Sequence, residues 1–392
     1  MEDLLERVRA MPCGRRLLDA AAGHAGVHLA GGAVRDLLRG RVPAELDVVV
    51  EGEIGPLTAR LGDIAAVHER FATASVRAGE CRWDLAAARA ESYARPGALP
   101  EVRRADIDED LRRRDVTVNA LALDLTTGEL RAAEHAREDL EARLLRVLHD
   151  DSFRDDPTRL WRVARYAARL GFELEQRTAR LAADAVAGGA LRTISGARIA
   201  NELRLALGEP DPVAALAAAV DLGIAPWLAP DRERTQAALE LLPAGEGRRE
   251  LVVLGASLVP AGEERDALLA ALDFTAAEGA VLRACGAAEE LAAAARKAAR
   301  PSQLARVLRG APVEAVALAG AAGATDQAWR WLGELRAFGL AIGGDDLIAA
   351  GVREGPEIGR RLEATLARRL DGELAAGRDA ELAAALEPSA GR

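Results

Sequence analysis

The order of apolar and polar positions divides this chain into two parts. From Val27 to about Leu130, short apolar runs alternate with amphipathic stretches. The pattern predicts strands over 27–30, 47–51, 81–88 and 117–124, with helices near 34–40, 55–62 and 107–113. An amphipathic helix over 3–22 precedes them, and Tyr93 to Pro100, marked by Pro96 and Gly97, reads as a surface loop. After about Arg137 the period of two disappears. A helical period covers 155–170, 176–187, 195–207 and 212–221, then 263–271, 275–299, 312–322, 325–338 and 355–374. Breaks fall at Gly188-Gly189, Glu209 to Pro212, Leu242 to Gly245 and Gly343-Gly344. The expected fold is an α+β head with a small mixed β-sheet, followed by a large all-α remainder, mostly helical overall.

Composition supports that division. The 392 residues exceed the usual single-domain range. Half are apolar but only 3% are aromatic, and alanine and leucine dominate the second half, which favours packed helices over a β-sandwich. A formal net charge of −10 argues against a protein that coats nucleic acid indiscriminately, while leaving room for a local basic groove. Almost all the basic charge is arginine, whose planar fork suits phosphates and base edges; Lys297 is the one lysine. Cys13, Cys81 and Cys285 are far apart and form no C-x-x-C pair, so the expectation is a reduced interior without a zinc site. The first residues lack a signal-peptide core, and no run of about 18 apolar residues escapes charge. The expected location is cytoplasmic, with no membrane contact.

Against this background, Gly31-Gly32-Ala33-Val34-Arg35-Asp36 stands out. It follows the strand Val27-His28-Leu29-Ala30 and opens a helix. Two glycines permit a tight turn with close backbone approach, and the bare N–H groups with Arg35 suit a phosphate. Glu45 and Asp47 come next, spaced as i and i+2 of a strand and so on one side. Two carboxylates beside a phosphate site are a means of holding Mg²⁺ against a triphosphate. Read singly, each half is a glycine turn or a charged strand end; together they favour nucleotide chemistry. Asp84, within Arg82 to Arg89, is a candidate third carboxylate that orients or deprotonates an attacking hydroxyl, or else a strand-edge aspartate in water. In Arg112-Arg113-Arg114-Asp115-Val116-Thr117-Val118-Asn119, Arg114 is the candidate clamp for a triphosphate, and Asp115 and Asn119 are candidates for ribose hydroxyls.

A later stretch supplies the base. Arg159, Arg162, Arg165 and Arg169 recur at helical spacing behind Asp155-Asp156-Pro157, so they form either a solvated ion-pair ladder or a recognition face. Cytosine and adenine each present an exocyclic amine beside a ring-nitrogen acceptor. A carboxylate (Asp156) accepting from the amine and an arginine (Arg159) donating to the ring nitrogen would take either base. Uracil and guanine would leave buried groups unpaired, at about 1–3 kcal/mol per group. The pair would admit CTP and ATP. His24, His28, His68, His135 and His149 show no metal-ligand spacing and no phosphohydrolase pattern, and read as surface or core residues.

These pieces, in this order, resemble the class II tRNA nucleotidyltransferase and bacterial poly(A) polymerase family. The likeness rests on the Gly31 turn with its acidic strand, on Arg113-Arg114-Asp115-x-Thr117-x-Asn119-Ala120, and on Asp155-Asp156-x-x-Arg159. Phe71 to Ala74, Glu91-Ser92-Tyr93 with Pro96-Gly97, Gly344 to Leu347 and Gly355 to Gly359 also match family segments. The resemblance implies a catalytic head over 1–137, a helical neck over 138–230 that selects the nucleotide, and a tRNA-binding body and tail over 231–392. It implies template-independent addition of CCA, or part of it, to the tRNA 3′ end from CTP and ATP. In the mechanism it implies, the 3′-hydroxyl of tRNA, activated by metal, attacks the α-phosphate and pyrophosphate leaves. Gly31, Gly32 and Arg35 would hold the triphosphate, and Glu45 and Asp47 the Mg²⁺ ions. Arg114 and Asp115 would contact phosphate and ribose. Asp156 and Arg159 would serve as protein template, supported by Arg162 and Arg165. Two positions depart from the family pattern: Glu45 replaces the first aspartate of the usual pair, where Mg²⁺ geometry is strict, and Val116 replaces a frequent phenylalanine. Same-class alternatives are an enzyme adding only CC or only A and a poly(A) polymerase, which the acidic charge disfavours. An alternative of another class is a non-catalytic tRNA- or nucleotide-binding relative with an altered metal site.

Overall fold

The structure, a computed structural model, describes residues 4–68 and 72–387. Asp3, the expected start of the first helix, Phe71 and the side chain of His68 lie outside what is described. The chain forms two compact units, Met1–Pro226 and Trp227–Arg392; the expected head–neck boundary near 137 falls inside the first.

The first unit opens with α1 (Leu4–Ala10) and α2 (Gly14–Ala21), two helices where one is expected. The sheet strands are β1 (Val27–Ala30), β2 (Asp47–Val50), β3 (Asp63–His68), β4 (Thr73–Ala78) and β5 (Cys81–Ala87). A separate hairpin pairs β6 (Arg89–Ser92) with β7 (Glu101–Arg104), and β8 (Leu121–Asp124) and β9 (Leu130–Ala132) complete the sheet. The spatial order is β3-β4-β5-β2-β1-β8-β9. Only the β2–β5 pair in it is parallel, which the crossover through α4 (Gly55–Leu61) and the β3–β4 hairpin permits.

Alternation along the central strands decides which side carries chemistry. Val27 and Leu29 of β1, Val48 and Val50 of β2, and Trp83 and Leu85 of β5 point into one large core with α1, α2, α3 (Gly32–Leu38) and α4. Ala30, Val49, Ala120 and Ala122 face the other way, toward Ile107 and Leu111 of α5 (Ile107–Arg112). Asp47 and Asp84, alternating with the core positions, belong to this second face.

Three expectations are corrected here. The single strand over 117–124 is a 3₁₀ turn, Thr117–Asn119, followed by β8. The Thr117 hydroxyl donates to Asp139 at 2.7 Å and Asn119 accepts from Arg35, bonds that compete with a strand ladder. The helix over 155–170 is broken into α7 (Ser152–Asp155) and α8 (Thr158–Leu170), after α6 (Ala136–Ala142). Pro157 lacks an N–H and pushes Asp156 into extended backbone (φ −133°, ψ 95°). Cys13 and Cys81, expected as separate thiols, form a disulfide: the start of α2 packs against the start of β5, with Cα atoms 5.5 Å apart. Their 68-residue separation in sequence hides this contact.

Two short parallel strands, β10 (Leu144–Leu145) and β11 (Glu173–Leu174), tie the head to the next helices, where the periodicity predicts no strand. Helices α9 (Gln176–Ala187), α10 (Gly196–Leu207) and α11 (Pro212–Asp221) close the first unit, within a residue of their predicted bounds. The second unit is helical from α12 (Arg232–Leu241) to α22 (Arg378–Leu386), around an alanine-rich core that includes Trp331 and Leu318. Among the described residues, no helix is long and apolar enough to cross a membrane.

Candidate active site

One cleft of about 800 Å³ in the first unit collects most of the predicted residues: Gly31, Gly32, Asp47, Asp84, Arg114, Asp115, Asn119, Asp156, Arg159 and Arg162 all line it. Glu45, Arg35 and Arg165 do not. Glu45 lies in an exposed bend ahead of β2 rather than on the strand, so strand alternation does not carry it to the wall. Arg35 is buried behind the glycine turn, where it donates to both Asp36 oxygens (2.9 and 3.1 Å) and to Asn119 Oδ1 (2.6 Å). Arg165 is buried between Glu202 and Glu209 at 3.1 and 3.0 Å, and Arg169 also bonds Glu209. The stripe therefore splits: Arg159 and Arg162 face the cleft, while Arg165 and Arg169 hold helices together.

The turn itself has left-handed backbone at Gly31 (φ 71°). A Cβ there would lie 2.7 Å from Arg114 Nη1, so glycine is required both by conformation and by the arginine resting over it. Arg114 is held by Asp110 at 3.0 Å and by the Asn119 carbonyl at 3.3 Å, and its buried Nε–H has no partner among the described residues. Asp110, fully buried, also accepts from Arg113 at 2.9 and 2.7 Å and from the Arg89 amide at 3.2 Å. One carboxylate thus turns two consecutive arginines toward the same wall.

Asp47 and Asp84 are register partners across β2 and β5. Burial, then the field of Glu45, pushes the Asp47 carboxyl up to about 6; Asp84 adds to the rise and Arg114 opposes it. Asp84 accepts from the Ser75 hydroxyl and pairs with Arg82 at 3.2 Å. Among the described residues, no three His, Cys, Asp or Glu side chains converge as a metal cage. Two all-oxygen donors with excess negative charge nonetheless fit a hard divalent cation that takes its remaining ligands from phosphates and water. Asp47 and Asp84 are the residues of that set that reach the cleft; Glu45 contributes through its charge.

Asp115 is buried and accepts from Arg162 Nε, Tyr166 Oη (both 2.8 Å), Asn119 Nδ2 (3.3 Å) and its neighbour's amide. Burial alone would raise its carboxyl, but Arg162 and these donors hold it well below the usual range. Burial, then Asp115, pushes Tyr166 up to about 12, so its hydroxyl stays protonated as donor. Asp156 binds Arg198 at 2.8 Å, and Arg159 donates to Ser152 Oγ at 2.8 Å and to the Arg113 carbonyl at 2.8 Å. His149 stands 3.4 Å from Arg159; burial, then that guanidinium, lowers its pKa. Tyr166, Ser75, Asp110 and Arg198 escape sequence reasoning. Tyr166 lies one helical turn from Arg162, a signal that could have found it, whereas Arg198 carries none.

The comparisons agree with this geometry. Residues 27–146 match the poly A polymerase head domain. An A-adding tRNA nucleotidyltransferase of Halalkalibacterium halodurans is 43% identical over 206 residues, 50% of this chain and 48% of that protein. A CC-adding tRNA nucleotidyltransferase of Deinococcus radiodurans is 40% identical over 192 residues, 47% of this chain and 50% of that one. The chain spans about half the length of these relatives. Among solved structures, an apo CCA-adding enzyme superposes with a TM-score of 0.79 at 26% identity, covering 98% of this chain and 95% of that one. The Thermotoga maritima CCA-adding enzyme complexed with tRNA gives 0.72 at 27% identity, covering 98% and 97%. In sequence, residues 27–146 are similar to the poly A polymerase head domain, and in fold nearly the whole chain is similar to CCA-adding enzymes.

Proposed function

We propose that this protein is a template-independent tRNA nucleotidyltransferase that adds CCA, or part of it, to tRNA 3′ ends from CTP and ATP with release of pyrophosphate. The observation that carries the reading is a single cleft holding the glycine turn, a pair of strand carboxylates and the Asp156/Arg159 pair. The glycine turn and Arg114 bind the triphosphate, with the guanidinium held over the turn by Asp110 and the Asn119 carbonyl. Asp115 and Asn119, fixed by Arg162, Tyr166 and Arg35, position the ribose. Asp156 accepts from the base amine and Arg159 donates to the ring nitrogen. Asp47 and Asp84 would hold Mg²⁺, which supplies charge neutralisation at the triphosphate when bound. Asp84, anchored by Ser75, orients the attacking 3′-hydroxyl. Residues 231–392 serve as the tRNA-binding part.

A second reading within the class has its own support: the relative reported above at 43% identity is an A-adding enzyme. Incubation with Mg²⁺, one labelled NTP at a time, and tRNAs lacking the last one, two or three nucleotides tests both. Incorporation of C and A on successive ends supports CCA addition, and incorporation of A alone selects the A-adding reading. No incorporation on any end overturns the enzyme.

A further inference from the structure

Asp156 sits neither on α7 nor on α8 but in the extended break that Pro157 enforces, so no helix fixes its side chain. Its orientation comes from elsewhere. Oδ1 accepts three hydrogen bonds: from the Thr158 amide at 3.0 Å, the Thr158 hydroxyl at 2.7 Å and Arg198 Nη2 at 2.8 Å. Among the described residues, no donor is bonded to Oδ2. A carboxylate has about four acceptor sites on two oxygens, and here three bonds crowd onto one of them.

Arg198, on α10, is itself pinned. Its Nη1 donates to the Gly97 carbonyl at 2.8 Å, and the Gly97 amide bonds the Arg154 and Asp155 carbonyls, both at 3.2 Å. Gly97 has φ 70°, and a Cβ there would lie 2.2 Å from Thr193 Oγ1, so the segment holding the guanidinium is itself wedged in place. The charge-assisted bond to Asp156 is therefore directional as well as strong.

We propose that Arg198, aided by Thr158, makes Asp156 a one-sided acceptor and thereby sets base choice as a positioning residue. With Oδ1 saturated, a base in the cleft meets Oδ2 alone, in one direction, beside the N–H groups of Arg159 that Ser152 and Arg113 leave over. A donor amine satisfies that oxygen; the carbonyl oxygen of uracil or guanine meets it lone pair to lone pair. A carboxylate released from Arg198 can rotate and offer either oxygen, and discrimination relaxes. The inference rests on the base-selecting reading of Asp156.

The test measures kcat/KM for CTP, ATP, UTP and GTP on tRNA ends that the wild type extends, with melting temperatures alongside. In Arg198→Ala, the preference for the accepted nucleotide over UTP or GTP falls about tenfold or more, with the melting temperature near wild type. Arg198→Lys, which keeps the charge and one directional donor, recovers part of that preference. A folded Arg198→Ala with wild-type preference overturns the inference and leaves the base-selecting reading standing. Should Arg198→Ala not fold, Thr158→Val carries the same test: it removes the hydroxyl bond to Oδ1, and unchanged preference again overturns the inference. A wild type with no preference removes the reading beneath it, and the inference with it.

Discussion

Asp47 and Asp84 stand as register partners on two adjacent parallel strands, which sets both carboxylates on one wall of the cleft without help from any loop. Such proximity stabilises a bound cation and costs stability without one.

The Asp47 carboxyl is raised from 3.8 to about 6, so the folded state holds its proton more tightly than the unfolded chain. Its contribution to stability is full below about pH 4 and is lost as pH rises through about 6. The metal-free protein at pH 7 should therefore gain about 2 kcal/mol from Asp47→Asn, while losing at least about a hundredfold in activity. Mg²⁺ should raise the wild-type melting temperature more at pH 8 than at pH 5. Denaturation at both pH values, with and without Mg²⁺, checks this, and a destabilised Asp47→Asn would show that the carboxylates are not in conflict.

Asp115 has the opposite sign. Its depressed pKa stabilises the fold above the ordinary carboxylate range and is lost as pH falls below about 4. Asp115→Ala, which removes the shared acceptor of Tyr166, Asn119 and the half-exposed Arg162, should cost about 2–3 kcal/mol. Tyr166→Phe, which removes one bond to the same oxygen, should cost only about 1 kcal/mol. Urea denaturation of the two variants side by side measures the ratio.

Gly31→Ala should weaken nucleotide binding about tenfold or more, because it combines left-handed backbone strain with displacement of Arg114. Titration calorimetry with a non-reacting triphosphate reads it; affinity equal to wild type would detach Arg114 from the phosphate site.

Unfolded without reductant, the oxidised protein should show one reactive thiol, Cys285, and three after reduction. The folded protein should show none quickly, since Cys285 is buried and its thiol is pushed up to about 12 by that burial. Two further thiols in the unreduced, unfolded sample would mean Cys13 and Cys81 are not joined.

Much of this was legible in the chain because local rules agreed. Gly31-Gly32 needs only turn chemistry, β1, β2 and β5 are apolar runs, and α9 to α11 carry clear helical periods and flanking breaks. Failures came where a tertiary partner overrides a local pattern. Glu45 has correct strand spacing, but the strand begins two residues later. Arg159, Arg162 and Arg165 recur every third residue, but each step turns the face by about 60°, and packing shows that Glu202 and Glu209 claim Arg165. β3, β4, β6 and β7 are short, and β3 and β4 mix alanine with polar residues, so period-two alternation is faint. Cys13 and Cys81 meet through a fold that spacing cannot express.

The central claim is that protein side chains alone choose cytosine and adenine. The most direct measurement offers all four NTPs at equal concentration, with Mg²⁺, to tRNA ends the protein extends, and sequences the products. The account predicts C or A at every added position, with U and G suppressed at least about a hundredfold. Products carrying U or G as often as C or A would contradict it.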